Sequence, residues 1–280
     1  MKEQIKQIIA DTSDKLQAKS LVREYLQARI LQFLQESGSF RSWIFHGGTA
    51  LRFLYRIPRY SEDLDFALRQ SSDTLDFSAV IKIICGQFES EAYQVETKAK
   101  EVKTVNSAFI RFPGLLFELG LSPRQTENFS IKIELDSNPP TGGIVETTIV
   151  RRYVALHILH YDKASFLSGK LHAILNRAYT KGRDLFDIFW YLSDPTWPSP
   201  NIEFLNNALK QTNWEGSAIT EKNWHQITGE KLVTIDWDRA VEDVRPFIER
   251  TTDLDMLTWE NILKLLKSKG NIEGGTKREN

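Results

Sequence analysis

The sequence predicts an α+β protein, with a mixed sheet and flanking helices in the first 150 residues and a mostly helical lobe after them. Three observations predict it. Short runs with period-two alternation recur as far as Val150, and glycine and proline turns separate them. Beyond Lys163 the apolar spacing changes to three and four residues.

From Lys15 to Gln35, Leu16, Leu21, Tyr25, Ala28, Leu31 and Leu34 recur at helical spacing, and Ser37-Gly38 ends the pattern. Ser42 to His46 reads as a strand, Gly47-Gly48 as a tight turn, and Thr49 to Tyr55 as a helix with Thr49 as its N-cap. After the turn Ile57-Pro58-Arg59, Asp63 to Leu68 alternates acidic and apolar residues as a strand would. Leu75 to Phe88 reads as a helix, and Tyr93 to Lys98, Ala108 to Phe112 and Phe129 to Leu135 as strands. A turn at 138–143 precedes a further run from Val145 to Val150. SFLSGKLHAILNRA and RDLFDIFWYL are helical in period, and Pro195, Pro198 and Pro200 punctuate the junction to helices at Asn201 to Gln211, Trp237 to Arg250 and Trp259 to Lys267. The expected organisation is a lobe over 1–150, a helical lobe over 151–269 and a polar, disordered tail over 270–280.

Bulk composition excludes several classes. With 280 residues, 41% hydrophobic and 26% charged, the chain is globular rather than fibrous or wholly disordered. Its 36 basic and 37 acidic residues give a formal charge of −1, so attraction for nucleic acid requires a local basic surface. Cys85 is the single cysteine, so no intramolecular disulfide forms, and the apolar VIKIICGQF context predicts a buried thiol. No signal peptide and no membrane span is legible, which predicts a cytoplasmic protein with no membrane partner.

The chemistry concentrates in GGTALRFLYRIPRYSEDLD. Asp63 and Asp65 lie two apart on an extended run and project from one face, where their repulsion is relieved by a hard divalent cation. An isolated Asp-x-Asp also fits a solvated strand face. Gly47, Gly48 and Thr49 add a backbone that a ligand can approach closely and a helix start with unpaired N–H groups for a phosphate. In SIKIELD, Glu134 and Asp136 share a polar face, and either could be a third acid. Three such acids suit a two-metal centre that activates an attacking oxygen and steadies a leaving pyrophosphate. In the helical half, Lys170 lies seven residues before Arg177, about two helical turns, so both can face the same way and reach a triphosphate. Asp184 and Asp187 neighbour each other on the next helix, with Arg183 available to pair with one of them.

These segments resemble the nucleotidyltransferases of the AbiEii/AbiGii toxin type, within the polymerase-β-like superfamily, whose relatives include toxins of type IV toxin–antitoxin systems. The first motif is matched by the glycine turn followed by Arg59, Ser61, Asp63, Leu64, Asp65 and Phe66, the second by SIKIELD, and the third by Lys170-Leu171-x-Ala173 with Arg183-Asp184-x-x-Asp187. The resemblance covers Trp43 to Leu192. It implies a nucleotidyltransferase-type sheet and magnesium, or manganese in its place, on Asp63, Asp65 and Glu134. It also implies a catalytic role for Asp187, and nucleotide binding by Gly47, Gly48, Thr49, Ser61, Lys170, Arg177 and Arg183. The implied reaction moves a nucleoside monophosphate from a nucleoside triphosphate to a hydroxyl acceptor, with transfer RNA the leading acceptor and an antitoxin protein a further partner. Arg151, Arg152, Lys163, Lys170, Arg177, Lys181 and Arg183 are candidates for an RNA backbone. A small-molecule or protein acceptor, or a silent nucleotide- or RNA-binding module, are the competing readings. Thirteen residues separate Thr49 from Asp63, and His46 has no assigned role.

Overall fold

The computed structural model describes residues 2–70, 76–102, 104–177 and 179–274. Contacts divide the chain into two units, one comprising Met1–Pro139 with Val145–His160 and the other Pro140–Ile144 with Tyr161–Asn280.

The first unit opens with α1 (Lys2–Ile9) and α2 (Lys15–Glu36), whose N-cap is Asp14. There follow β1 (Trp43–His46), α3 (Gly47–Tyr55), β2 (Leu64–Leu68) and α4 (Phe77–Ser90), then β3 (Glu96–Lys100), β4 (Val105–Arg111), the short α5 (Leu115–Glu118) and β5 (Ser130–Asp136). β6 (Val145–Arg151) and β7 (Ala155–Tyr161) complete a seven-stranded mixed sheet among the described residues, in the order β3-β4-β5-β2-β1-β7-β6. β1 runs antiparallel to β2 and parallel to β7, β2 parallel to β5, and β4 antiparallel to both β3 and β5.

The alternation within each strand sorts its residues between two faces. Trp43 and Phe45 of β1, Leu64 and Phe66 of β2, and Ile131, Ile133 and Leu135 of β5 are all buried and share one face. Their rings pack tightly, with Phe45 on Phe66 at 5.1 Å and Trp43 on Phe77 of α4 at 5.8 Å. The opposite face carries His46, Asp65 and Glu134, all half-buried.

α2 is buried nearly all round, including the polar Glu24 and Gln27. Glu24 accepts from Arg52 Nε at 2.5 Å, Arg152 Nε at 2.7 Å and the Tyr153 hydroxyl at 2.9 Å, which ties α2 to α3 and to the turn between β6 and β7. Burial, reinforced by the Glu24 charge, pushes the Tyr153 hydroxyl above its ordinary pKa, so it remains a donor.

The second unit contains α6 (Lys163–Asn176), α7 (Gly182–Ser193), α8 (Ile202–Gln211), α9 (Trp224–Val233), α10 (Trp237–Val244), the short α11 (Thr252–Asp255) and α12 (Trp259–Gly274). α7 and α10 approach so closely that a Cβ on Gly182 would overlap the Ala240 carbonyl, and the Gly182 N–H donates to Asp243 at 2.8 Å. The buried Lys269 ammonium donates to the Trp197 carbonyl at 2.6 Å and the Pro195 carbonyl at 3.3 Å, just past the end of α7.

Several elements differ from expectation. The first unit extends to His160 rather than residue 150, because β7 joins the sheet beside β1. α1, α5, β7, α9 and α11 were not legible in the sequence. The helix expected over Trp237 to Arg250 stops at Val244, where Pro246 imposes a 3₁₀ turn at Arg245–Phe247. α12 continues to Gly274, into the stretch expected to be disordered, and residues 275–280 lie outside the described ones, as does the expected helix start at Leu75. Cys85 is buried as expected, and burial pushes its thiol up.

Replacing Glu24 with Ala leaves two arginines without their carboxylate in a buried setting. We expect a loss of about 3–5 kcal/mol, read as a lower urea midpoint, whereas a loss below about 1 kcal/mol would show that the network is not anchoring α2.

Candidate active site

The site face is built around the junction of β1 and α3. β1 ends at His46, and the chain turns into α3 at Gly47 with φ +77, a left-handed conformation that glycine adopts without strain. A Cβ on Gly47 would also collide with the Asp65 carboxylate, so the acid packs directly against bare backbone. On the other side of the turn, a Cβ on Gly48 would stand 2.5 Å from Arg59 Nη2 and 2.9 Å from Ser61 Oγ. Gly47 is therefore required by its backbone conformation and by Asp65, and Gly48 is crowded by the ends of Arg59 and Ser61.

The helix begins two residues earlier than expected, which corrects the role of Thr49. The N-cap position falls to His46, which makes no side-chain capping bond to the first turn of α3. Thr49 is fully buried within the helix, and its hydroxyl donates to the Asp63 carbonyl rather than facing a ligand. Asp63 itself precedes β2, which starts at Leu64.

Three further side chains fix the segment that carries Ser61 and Asp63. Gln27 Nε2 donates to the Ser61 and Glu62 carbonyls, both at 3.0 Å, and Arg52 Nη1 to the Ile57 carbonyl at 2.8 Å. Arg59, only 1% exposed, donates to the Tyr60 carbonyl at 2.9 Å. Sequence reading missed Gln27 and Arg52. The available signal was Arg52 inside the apolar stretch ALRFLY, whereas Gln27 lies among other polar residues of α2 and gave none.

Strand register places the acids. Asp65 is opposite His46 on β1 and opposite Glu134 on β5, so the three side chains form one row across adjacent strands. Glu134 is paired with Lys132 at 2.7 Å. Asp136 lies two pairs further along, opposite Ala67, so the register brings Glu134 rather than Asp136 beside Asp65. Burial pushes the Asp136 carboxyl above the usual carboxylate range, against the Asn138 N–H it accepts at 2.9 Å and the charge of His46.

Among the described residues no group of three or more His, Cys, Asp or Glu side chains is placed to hold a metal ion unaided. The donor chemistry nonetheless fits magnesium, which takes one or two protein carboxylates and completes its shell with phosphate oxygens and water. Asp65 seated on the Gly47 backbone, with Glu134 in register beside it, supplies such oxygens.

In the helical unit the expected residues form a second cluster. The Lys170 ammonium lies 2.9 Å from Asp184 and 2.7 Å from Asp187, and Arg177 also pairs with Asp184. The Asp187 side chain is wholly buried. Lys170 and Arg177 do not share a continuous helix, because α6 ends at Asn176 and Arg177 is extended. They meet by converging on the first turns of α7. Two cations and two carboxylates neutralise each other, so neither Lys170 nor Arg177 is an uncompensated charge. Arg183 lies over the Phe247 ring at 4.4 Å, Lys163 over Trp197 at 4.3 Å, and Arg152 is held by Glu24. Most of the basic residues expected to meet RNA therefore have internal partners, whereas Arg151 and Lys181 are exposed.

The site is thus a strand–glycine turn–helix junction faced by a row of acidic side chains on adjacent strands. The model of the family "Nucleotidyl transferase AbiEii toxin, Type IV TA system" matches residues 29–264. The chain belongs to this family, and it is a nucleotidyltransferase of the toxin type. Similar solved structures include an H. pylori protein solved as a candidate nucleotidyltransferase, with TM-score 0.57 and 16% identity over 93% of this chain and 98% of that one. JHP933 from Helicobacter pylori gives TM-score 0.54 and 16% identity over 90% and 92% of the two chains. MenT4, nucleotidyltransferase toxin Rv2826c from Mycobacterium tuberculosis H37Rv, gives 0.53 and 13% over 95% and 89%. At these identities the likeness is one of fold. No curated protein matches the chain by sequence. Among the described residues no helix is long and apolar enough to cross a membrane.

Two stability outcomes follow. Gly47→Ala adds a strained φ and displaces Asp65, so we expect a loss of about 1–3 kcal/mol in thermal unfolding; an unchanged melting temperature would contradict the close approach. Lys170→Met leaves Asp187 buried without its cation and should cost about 3–5 kcal/mol. Adding Asp187→Leu should restore much of that loss, and strict additivity of the two losses would show that the pair is not coupled.

Proposed function

We propose that the protein transfers a nucleoside monophosphate from a nucleoside triphosphate to a hydroxyl of an RNA acceptor, transfer RNA being the acceptor the family resemblance favours. One observation carries the reading. Asp65 packs on the Gly47 backbone at the start of α3, with Glu134 in register beside it, so helix-start amides and two carboxylates lie close together.

Asp63 and Asp65, with Glu134, would hold magnesium or manganese. The bound ion would lower the charge on the phosphates and on the attacking oxygen. The first-turn amides of α3 at Gly47 and Gly48 orient the triphosphate, and Ser61 lies beside Gly48 in the same wall. The acceptor oxygen bonds to the α-phosphorus as the bond to pyrophosphate breaks. Glu134 serves as third ligand or takes the hydroxyl proton. No protein nucleophile is needed, so catalysis is positioning and charge neutralisation.

In the helical unit, Lys170 is the candidate phosphate-binding cation and Asp187 the residue that positions its ammonium, with Arg177 and Arg183 as supporting nucleotide contacts. The neutral balance of that cluster favours a positioning role over a bare electrostatic one. A toxin–antitoxin setting supports a cytoplasmic protein with a cognate antitoxin as partner.

Asp65→Asn tests the reading. We expect transfer from an α-labelled triphosphate to total cell RNA to fall by on the order of 10³-fold or more, and growth arrest on induced expression to be relieved. Thermal stability should hold or rise as repulsion between the acids is relieved. Full transfer in the variant would sink the mechanism, and label appearing on protein or a small molecule instead of RNA would sink the acceptor.

A further inference from the structure

The outer strands of the sheet carry a surface that the site does not use. On the face that bears Asp65 and Glu134, the register continues outward from Glu134 to Ser107 of β4 and on to Lys100 of β3. The adjacent row runs from Lys132 of β5 to Phe109 of β4 and then Lys98 of β3, and Arg111 stands on the same face one pair further along. Phe109 is 37% exposed although it is a large apolar residue within a strand, and the Lys132 ammonium stands 5.9 Å from its ring. Lys98 and Lys100 are exposed, and among the described residues neither has a recorded ion pair. The acidic residues on this face are Glu96, at the Arg111 end, and Glu134 with Asp136 at the carboxylate end.

We infer that this face of β3, β4 and β5 is the track for a single-stranded segment of the RNA acceptor, with Phe109 stacking a base and Lys98, Lys100 and Arg111 meeting its phosphates. The inference rests on the proposed transfer to RNA and says where the acceptor strand runs. A cationic surface with one exposed ring at its centre suits single-stranded nucleic acid, because any base offers a face to an aromatic side chain while lysines follow the backbone. A protein partner would meet a lysine-rich edge with only one aromatic anchor, whereas protein interfaces are depleted in lysine. The dimensions also suit a strand. From β2 to β3 is three inter-strand spacings, about 14 Å, which is roughly four nucleotides at stacked spacing. A hydroxyl at the Asp65–Glu134 row would thus leave the next few nucleotides over Ser107, Phe109 and Lys98.

The test uses the full chain carrying Asp65→Asn, so that binding is read without turnover, and radiolabelled total transfer RNA beside a single-stranded oligoribonucleotide as probes. Lys98→Gln with Lys100→Gln should weaken both by about 10-fold and flatten the dependence of log K on log salt by about 1.4. Phe109→Ala should weaken the oligoribonucleotide on the order of 10-fold, and Phe109→Trp should retain it. In the otherwise wild-type chain the same changes should raise KM for RNA while triphosphate affinity stays within about twofold. Unchanged RNA affinity in both variants overturns the inference, as does a loss confined to a co-expressed protein partner. RNA binding that depends on these residues in a chain that labels no RNA supports the track and sinks only the transfer reading.

Discussion

The site depends on a steric constraint at two adjacent glycines, of which Gly47 admits no side chain without strain and Gly48 is crowded by the ends of neighbouring side chains. Asp65 occupies the space where a Gly47 Cβ would stand, and Arg59 with Ser61 occupies that of Gly48. Once the turn is bare, β1 can pass directly into α3, and the first-turn amides lie beside a carboxylate. A carboxylate beside the amides of a helix start is a favourable arrangement, because the partial positive charge of the N–H groups offsets the charge of the acid. The rest of the first unit can be understood as holding that turn still. Thr49, Gln27, Arg52 and Arg59 all direct their donors to backbone carbonyls of residues 57–63, so the acids are positioned by main-chain anchors rather than by their own contacts alone.

Each unit also contains a buried ionic cluster with a different balance. Glu24 collects two arginines and a tyrosine, which leaves a net positive charge around one carboxylate, whereas Lys170, Arg177, Asp184 and Asp187 compensate one another. Buried ion pairs are weak evidence for stability, since their desolvation offsets most of their attraction, but removing one partner is costly. Their effect is to fix geometry. Glu24 fixes the angle at which α2 meets α3 and the β6–β7 turn. Lys170 fixes α6 against the first turns of α7, where Gly182 already forces a close approach to α10.

Most of the sheet was legible because alternation and turn chemistry are local. Asp65 and Glu134 alternate with apolar neighbours as strand residues do, whereas Asp63 lies just before β2, and the register then set Glu134 rather than Asp136 beside Asp65, a choice sequence left open. The helix start at Gly47 was not legible, since a threonine after two glycines reads as an N-cap until the backbone shows it inside the first turn. β7 escaped because His157 and His160 interrupt an apolar run and no glycine or proline marks its start, although His160 is buried and bonds Thr148 at 2.8 Å. The convergence of Lys170 and Arg177 was anticipated for the wrong reason. Helical spacing suggested one face, whereas the chain leaves the helix and returns to Asp184.

Charge shows the same limit of local reading. A cluster of basic residues in sequence suggests a polyanion surface, yet the stretch from Arg151 to Arg183 places most of its cations on carboxylates or aromatic rings. The cations that stay solvated on one face are Lys98 and Lys100, in a strand whose sequence ETKAK looks like an unremarkable polar edge. Lysines on an edge strand also discourage pairing with another sheet, which alone could account for them. What edge protection does not account for is the exposed ring of Phe109 between Lys98 and Lys132, on the side of the sheet that leads to Glu134. Leaving that ring in water forgoes on the order of 2 kcal/mol of burial, and a ligand that covers it recovers this. In a chain of net charge −1, local placement of this kind is the way a polyanionic acceptor can be drawn to one face without the whole molecule becoming basic.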